Sequence, residues 1–169
     1  MRIDIKTISR SREAFIEIET ELDPNDLAVS IQDYRLIGPL SFKGRLQVAG
    51  DGVFALNGRL TAAYEGECAR CLIPVHCRVD VAVNEAFRPA AAPEEGEVED
   101  SYRYEGYTLD IAPAIRDNLV LALPQRLFCR DDCQGLCPIC GANLNEKTCG
   151  CAGVGSSGGS PFDQLKNLL

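Results

Sequence analysis

Apolar side chains recur at alternate positions through the middle of the chain. Phe42, Leu46 and Val48, then Leu56, Leu60 and Ala62, then Val75, Val79, Val81 and Val83 fall largely on one parity within PLSFKGRLQVAG, VFALNGRLTAAYEGECA and PVHCRVDVAVNEAF. A strand with one buried face requires this period of two. Gly50-Asp51-Gly52 supplies a hairpin turn between the first two segments, and the three predict an antiparallel meander. Upstream, Ile3, Ile5 and Ile8, then Phe15, Ile16 and Ile18, predict two short extended segments parted by the polar turn Ser9-Arg10-Ser11-Arg12, and Asp23-Pro24-Asn25-Asp26 is a break. Downstream, Tyr102, Tyr104 and Tyr107 predict a further strand.

After Asp110 the period changes. Ile111, Ile115 and Leu119, with Ala114, Asn118, Leu121 and Ala122, trace a helical stripe over about 111–123. Asp110 is the expected cap, Pro113 suits the first turn, and Pro124 stops the helix. Leu119 to Leu123 is apolar on nearly every side, which predicts a helix buried across the sheet. The expected fold class is α+β: a mainly antiparallel sheet, one buried helix, and a small C-terminal cysteine-rich module. Residues 1–128 form the β-rich domain, with a hydrated acidic loop at about 89–100 (PAAAPEEGEVED). Residues 129–152 form the cysteine-rich module. Residues 153–169 combine a Gly/Ser tether with a short terminal helix carrying Phe162, Leu165, Leu168 and Leu169, which needs a partner surface to persist.

Cysteine usage adds chemistry to this outline. The chain has nine cysteines in 169 residues, and six fall within CRDDCQGLCPICGANLNEKTCGC, residues 129–151. The N-terminus lacks the apolar run of a signal peptide, and no apolar stretch approaches a membrane span, so a reduced, cytoplasmic setting is expected. In that setting clustered cysteines point to metal more often than to disulfides, and the odd total agrees. Cys137-Pro138-Ile139-Cys140-Gly141 has the form of a zinc knuckle, whose trailing glycine lets the backbone turn around the ion. Cys149 and Cys151 follow after a turn-forming segment. The expected zinc ligands are therefore Cys137, Cys140, Cys149 and Cys151, with Cys129 and Cys133 as reserves for the last pair. Four thiolates leave no position for water, so such a site is structural.

A second pair, Cys68 and Cys71, falls where a hairpin tip is expected. By itself it reads as half a zinc site, a redox couple or two thiols at a turn. Redox chemistry is disfavoured, because a thioredoxin-type pair sits at a helix N-terminus and this one is flanked by strands. His76 and Cys77 follow on adjacent strand positions, so at most one of them could join the pair. His76 reads better as a surface residue and Cys77 as a small half-buried hydrophobe. Among the remaining residues no Gly-rich phosphate loop or nucleophile triad is found, and neither an enzyme site nor a small-molecule substrate is expected.

The formal net charge of −8 discourages nonspecific binding to a polyanion. Residues 34–88, however, carry seven Arg or Lys against five acids. Arg45, Arg59 and Arg78 are expected on one face of the sheet and are the candidate RNA contacts. Few aromatic residues lie among them, which speaks against stacking on single strands.

Taken together, ECARCLIPV after a strand, the helix ending LVLALP, the cysteine-rich stretch and the closing PFDQLKNLL resemble the YceD family, the large ribosomal RNA subunit accumulation proteins. The resemblance runs over nearly the whole chain. It implies a non-enzymatic role in accumulation of 23S rRNA and assembly of the large ribosomal subunit, with rRNA, its precursor or a ribosomal protein as partner. Two other classes stand beside it: a zinc-stabilised interaction adaptor unrelated to ribosomes, and, less favoured, a thiol oxidoreductase using Cys68 and Cys71.

Overall fold

The computed structural model describes residues 1–8, 15–27, 34–50, 52–92 and 101–153. The Ser9–Arg12 turn, most of the acidic loop and the tether with its terminal helix lie outside the described residues. The elements are β1 (Arg2–Asp4), β2 (Phe15–Leu22), β3 (Tyr34–Gly50), β4 (Val53–Glu67), β5 (Pro74–Pro89), β6 (Tyr102–Tyr104), β7 (Thr108–Asp110) and α1 (Ala112–Ala122). Short 3-10 turns cover Pro24–Leu27 and Gly150–Gly153. Strands β2 to β5 form an antiparallel meander, and β6 extends the sheet by pairing parallel to β5, with Phe87 opposite Tyr102. β1 and β7 form a separate antiparallel pair, Ile3 opposite Leu109.

The three central strands are long, and β3 starts earlier than the alternation suggests. Residues 34–37 pair with 63–66 of β4, across a bulge between Ile37 and Ser41 that absorbs Gly38 and Pro39. Gly38 has φ +73°, which glycine tolerates and most residues do not. That Gly-Pro dipeptide looks like a strand boundary in the sequence, although the pairing continues on both sides of it.

Alternation sorts the sheet into two faces. Leu40, Phe42 and Leu46 of β3, Leu56 and Leu60 of β4, and Val83 and Phe87 of β5 are fully buried on the inner face. Gly44 and Gly58 lie opposite each other in register, and the Phe42 ring covers both. A Cβ on Gly58 would stand 2.6 Å from the Phe42 ring carbon Cζ, so both glycines are required by the ring that covers them.

Helix α1 packs chiefly on β5, burying Ala114, Ile115 and Leu119. Its Asn118 Nδ2 donates to Glu85 Oε1 at 2.6 Å. Two expectations need correction. The N-cap is Ile111 rather than Asp110, yet the Asp110 carboxylate still accepts the Ala112 N–H at 3.0 Å, and so serves a free donor of the first turn from one residue further back. The helix is also not buried all round: Leu121 is 84% exposed and Val120 47%. At about 100° per residue Leu121 points away from Leu119, and among the described residues nothing buries the far side of this 11-residue helix.

Candidate metal centres

Beyond α1 the chain runs as turns, and two of these turns carry the second Cys-x-x-Cys. Leu136 bridges to Asn143, the Cys137 N–H donates to the Ala142 carbonyl at 2.8 Å, and the Gly141 N–H returns to the Cys137 carbonyl at 2.9 Å. Gly141 has φ +71°, the left-handed conformation that closes the turn. This turn presents Cys137 and Cys140, and residues 149–151 bring in Cys149 and Cys151. The four Sγ atoms all lie within 4.8 Å of one another, and the set as a whole could hold a metal ion. These are the four cysteines expected from the spacing. The backbone N–H groups of Cys140 and Ile139, with the Cys149 thiol, draw the Cys137 thiol down to about 6, against the cost of burial. Cys151, crowded by Cys140, by burial and by Cys149, is pushed up to about 12, so the cluster gives up its last proton reluctantly without a cation.

Cys129 and Cys133, the expected reserves, are not part of this set. They lie with Cys68 and Cys71, and these four Sγ atoms likewise all fall within 4.8 Å of one another. The backbone explains why. Where β4 ends, Cys68 bridges parallel to Leu127, the Ala69 N–H donates to the Leu127 carbonyl at 2.8 Å, and the Leu136 N–H donates to the Arg70 carbonyl at 3.0 Å. The chain leaving α1 is thereby laid against the hairpin tip, and Cys129 arrives two residues after the bridge. Arg70 fastens the same segment from the other side. Its guanidinium donates to the carbonyls of Asp131 and Cys133, both at 3.0 Å, and stacks over Phe128 with Cζ 4.8 Å from the ring centre.

Within this cluster Cys68 Sγ is 3.9 Å from Cys133 Sγ, and Cys71 Sγ is 3.6 Å from Cys129 Sγ. Both separations far exceed the roughly 2.05 Å of a disulfide, and all nine cysteines are free thiols. Asn145 Nδ2 donates to Cys133 Sγ at 3.4 Å. Burial raises the Cys68 thiol, but backbone N–H groups of Arg70, Cys129 and Cys71 outweigh it and bring it to about 6; Cys129, buried among the other three sulfurs, rises to about 12. Against the cost of burial, Cys133 is lowered as well, by the Asn145 amide and the Gly135 N–H. The sequence did carry a signal for the first set: Cys68/Cys71 and Cys129/Cys133 are each two ligands short of a closed shell.

Arg45, Arg59 and Arg78 all lie on the outer face of the sheet, as their parity requires. That face is mixed in charge. Arg59 donates to both carboxylate oxygens of Asp80, at 2.5 and 3.0 Å; Lys43 pairs with Glu19 and Arg35 with Glu65. Arg45 and Arg78 have no ion-pair partner among the described residues. His76 is on the same face, its Nε2 3.1 Å from Glu65 Oε2, and is not part of the first sulfur cluster. Cys77 faces inward beside Tyr64 and packs half-buried against the core. Among the described residues no helix is long and apolar enough to cross a membrane.

Comparison with known proteins gives a family match. The profile of a family described as large ribosomal RNA subunit accumulation protein YceD matches residues 56–169, a span containing both sulfur clusters. A Mycobacterium tuberculosis protein named uncharacterized protein Rv2926c is 36% identical over 147 residues, covering 85% of this chain and 70% of its own length. A Mycobacterium leprae protein, ML1660, is 35% identical over 109 residues, covering 63% of this chain and 49% of its own. The Bacillus subtilis protein YlbN is 25% identical over 119 residues, covering 69% and 66%. No solved structure matches.

Proposed function

The chain belongs to the YceD family of large ribosomal RNA subunit accumulation proteins, and from that we propose that it is a non-enzymatic factor supporting accumulation of 23S rRNA and assembly of the large ribosomal subunit. The observation that carries this reading is the family match over residues 56–169. In the proposed arrangement zinc is held by Cys137, Cys140, Cys149 and Cys151 in a closed tetrathiolate shell, which shapes the C-terminal module and leaves no coordination position for catalysis. The chain acts by docking, on rRNA, on its precursor or on a ribosomal protein.

Two features of the outer sheet face support direct contact with RNA at a few points. Arg45 and Arg78 are exposed and lack ion-pair partners among the described residues. Arg59, engaged by Asp80, is available only if that pair opens. The overall charge of −8 fits contact with a basic ribosomal protein equally well. A thiol oxidoreductase fits poorly: Cys68 and Cys71 are buried and lie between strands β4 and β5, with no helix starting there among the described residues.

The test is co-sedimentation. In a sucrose gradient of cell lysate the chain is expected in fractions holding large-subunit precursors, and the double substitution Arg45→Glu with Arg78→Glu is expected to weaken that association if RNA is the partner. Failure to sediment with any precursor fraction rejects the reading. Unchanged sedimentation of the double variant moves the contact from RNA to protein.

A further inference from the structure

The Cys68–Cys71 turn and the Cys137–Cys140 turn share one backbone geometry. In each, the residue after the second cysteine is left-handed, Leu72 at φ +62° and Gly141 at φ +71°. In each, that residue's N–H donates to the carbonyl of the first cysteine, at 2.9 Å both times. Glycine adopts this conformation freely and leucine does not. Leu72 is the only non-glycine residue with positive φ among the described residues, and its side chain is 56% exposed. Packing of the leucine therefore does not hold it there; the turn does.

We propose that Cys68, Cys71, Cys129 and Cys133 bind a second zinc ion, separate from the one assigned to the C-terminal four, and that it fastens the tip of the β4–β5 hairpin to the segment following α1. The sulfur separations fit one ion. Zn–S bonds of about 2.3 Å in a tetrahedron place the sulfurs roughly 3.8 Å apart, and the observed pairs are 3.9 and 3.6 Å. An iron–sulfide cluster needs a larger cage than one in which all four sulfurs lie within 4.8 Å. The Asn145 amide supplies an outer hydrogen bond of the kind that orients a thiolate ligand. The ligands come from segments 58 and 65 residues apart. Leu136 and Val75 pack beside the sulfurs, Val75 also touching the main core. Metal coordination adds a tie to the backbone bridge and the Arg70 hydrogen bonds that already join the two segments.

This inference is independent of the ribosomal role, and its test is read on metal content alone. Native mass spectrometry of the full chain, purified without chelator, is expected to find two zinc ions per chain. The double variant Cys68→Ser with Cys71→Ser is expected to keep one, and Cys137→Ser with Cys140→Ser also one. A wild-type chain with a single zinc that the first double variant retains overturns the proposal, as does iron in place of zinc or a disulfide among these four. Because a variant can fail to fold, metal-free wild-type chain is also titrated with cobalt(II): thiolate-to-cobalt absorption is expected to grow to two equivalents, and saturation at one overturns the second site.

Discussion

Single backbone angles account for the two knuckle turns. Gly141 and Leu72 occupy the same position in them, but only one of the two residues suits it. An added Cβ at Gly141 meets nothing within 4 Å, so Gly141→Ala costs only the left-handed conformation, about 1 kcal/mol. Leu72→Gly removes a comparable strain while adding the chain freedom of glycine, and is expected to be neutral to slightly stabilising. Urea unfolding of the two variants at fixed zinc reads this contrast in sign. The sequence announces Gly141 as a turn residue but gives no sign that Leu72 is one, because residue type predicts φ only where the residue is permissive.

Asp110 belongs to the same scale. Partial burial raises its carboxyl, but hydrogen bonds from the N-terminal amine and the Ala112 N–H outweigh this and leave it below the ordinary aspartate range, about 3.9. A carboxylate lowered in the folded state contributes stability that is complete above the unfolded value and is lost as pH falls through the folded one. Asp110→Asn is therefore expected to cost about 0.5–1 kcal/mol at pH 7, the range of an exposed cap. The gap between the urea midpoints of wild type and variant should close below about pH 4.

Among the elements, the meander was readable in the sequence and the sulfur pairing was not. Alternation over β3, β4 and β5 is a local signal, because each strand reports its own buried face. The parity that buries Phe42 also places Arg45 on the opposite side. Phe42, fully buried beneath the sheet and covering Gly44 and Gly58, is expected to cost 3–5 kcal/mol when changed to alanine, read as a large fall in the urea midpoint. Gly58→Val is expected to be at least as disruptive as a typical overpacked core, since its side chain would enter the volume of that ring. The partnership of Cys68 and Cys71 with Cys129 and Cys133 depends on a bridge between Cys68 and Leu127, a contact across 59 residues that no window of sequence contains. The C-terminal four cluster within 15 residues, which is why their spacing was enough to group them. The exposed side of α1 was missed for a related reason: an apolar run shows that a helix is apolar but not which neighbours cover it.

At the scale of the molecule, two sulfur centres lie along one path, the first where the β4–β5 hairpin meets the segment after α1 and the second further along that segment. The sheet's outer face carries charges of both signs, many of them paired, and the inner face is filled by side chains. Such a molecule offers surfaces for docking, and each of its two sets of four thiols could hold a metal ion. The family match places it among proteins described by large-subunit rRNA accumulation, and the central claim is that this chain supports that process. The direct measurement is the ratio of 23S to 16S rRNA in cells lacking the chain, with and without its reintroduction. A fall in the ratio, restored by the wild-type chain, is the result the account predicts; an unchanged ratio with normal large subunits contradicts it.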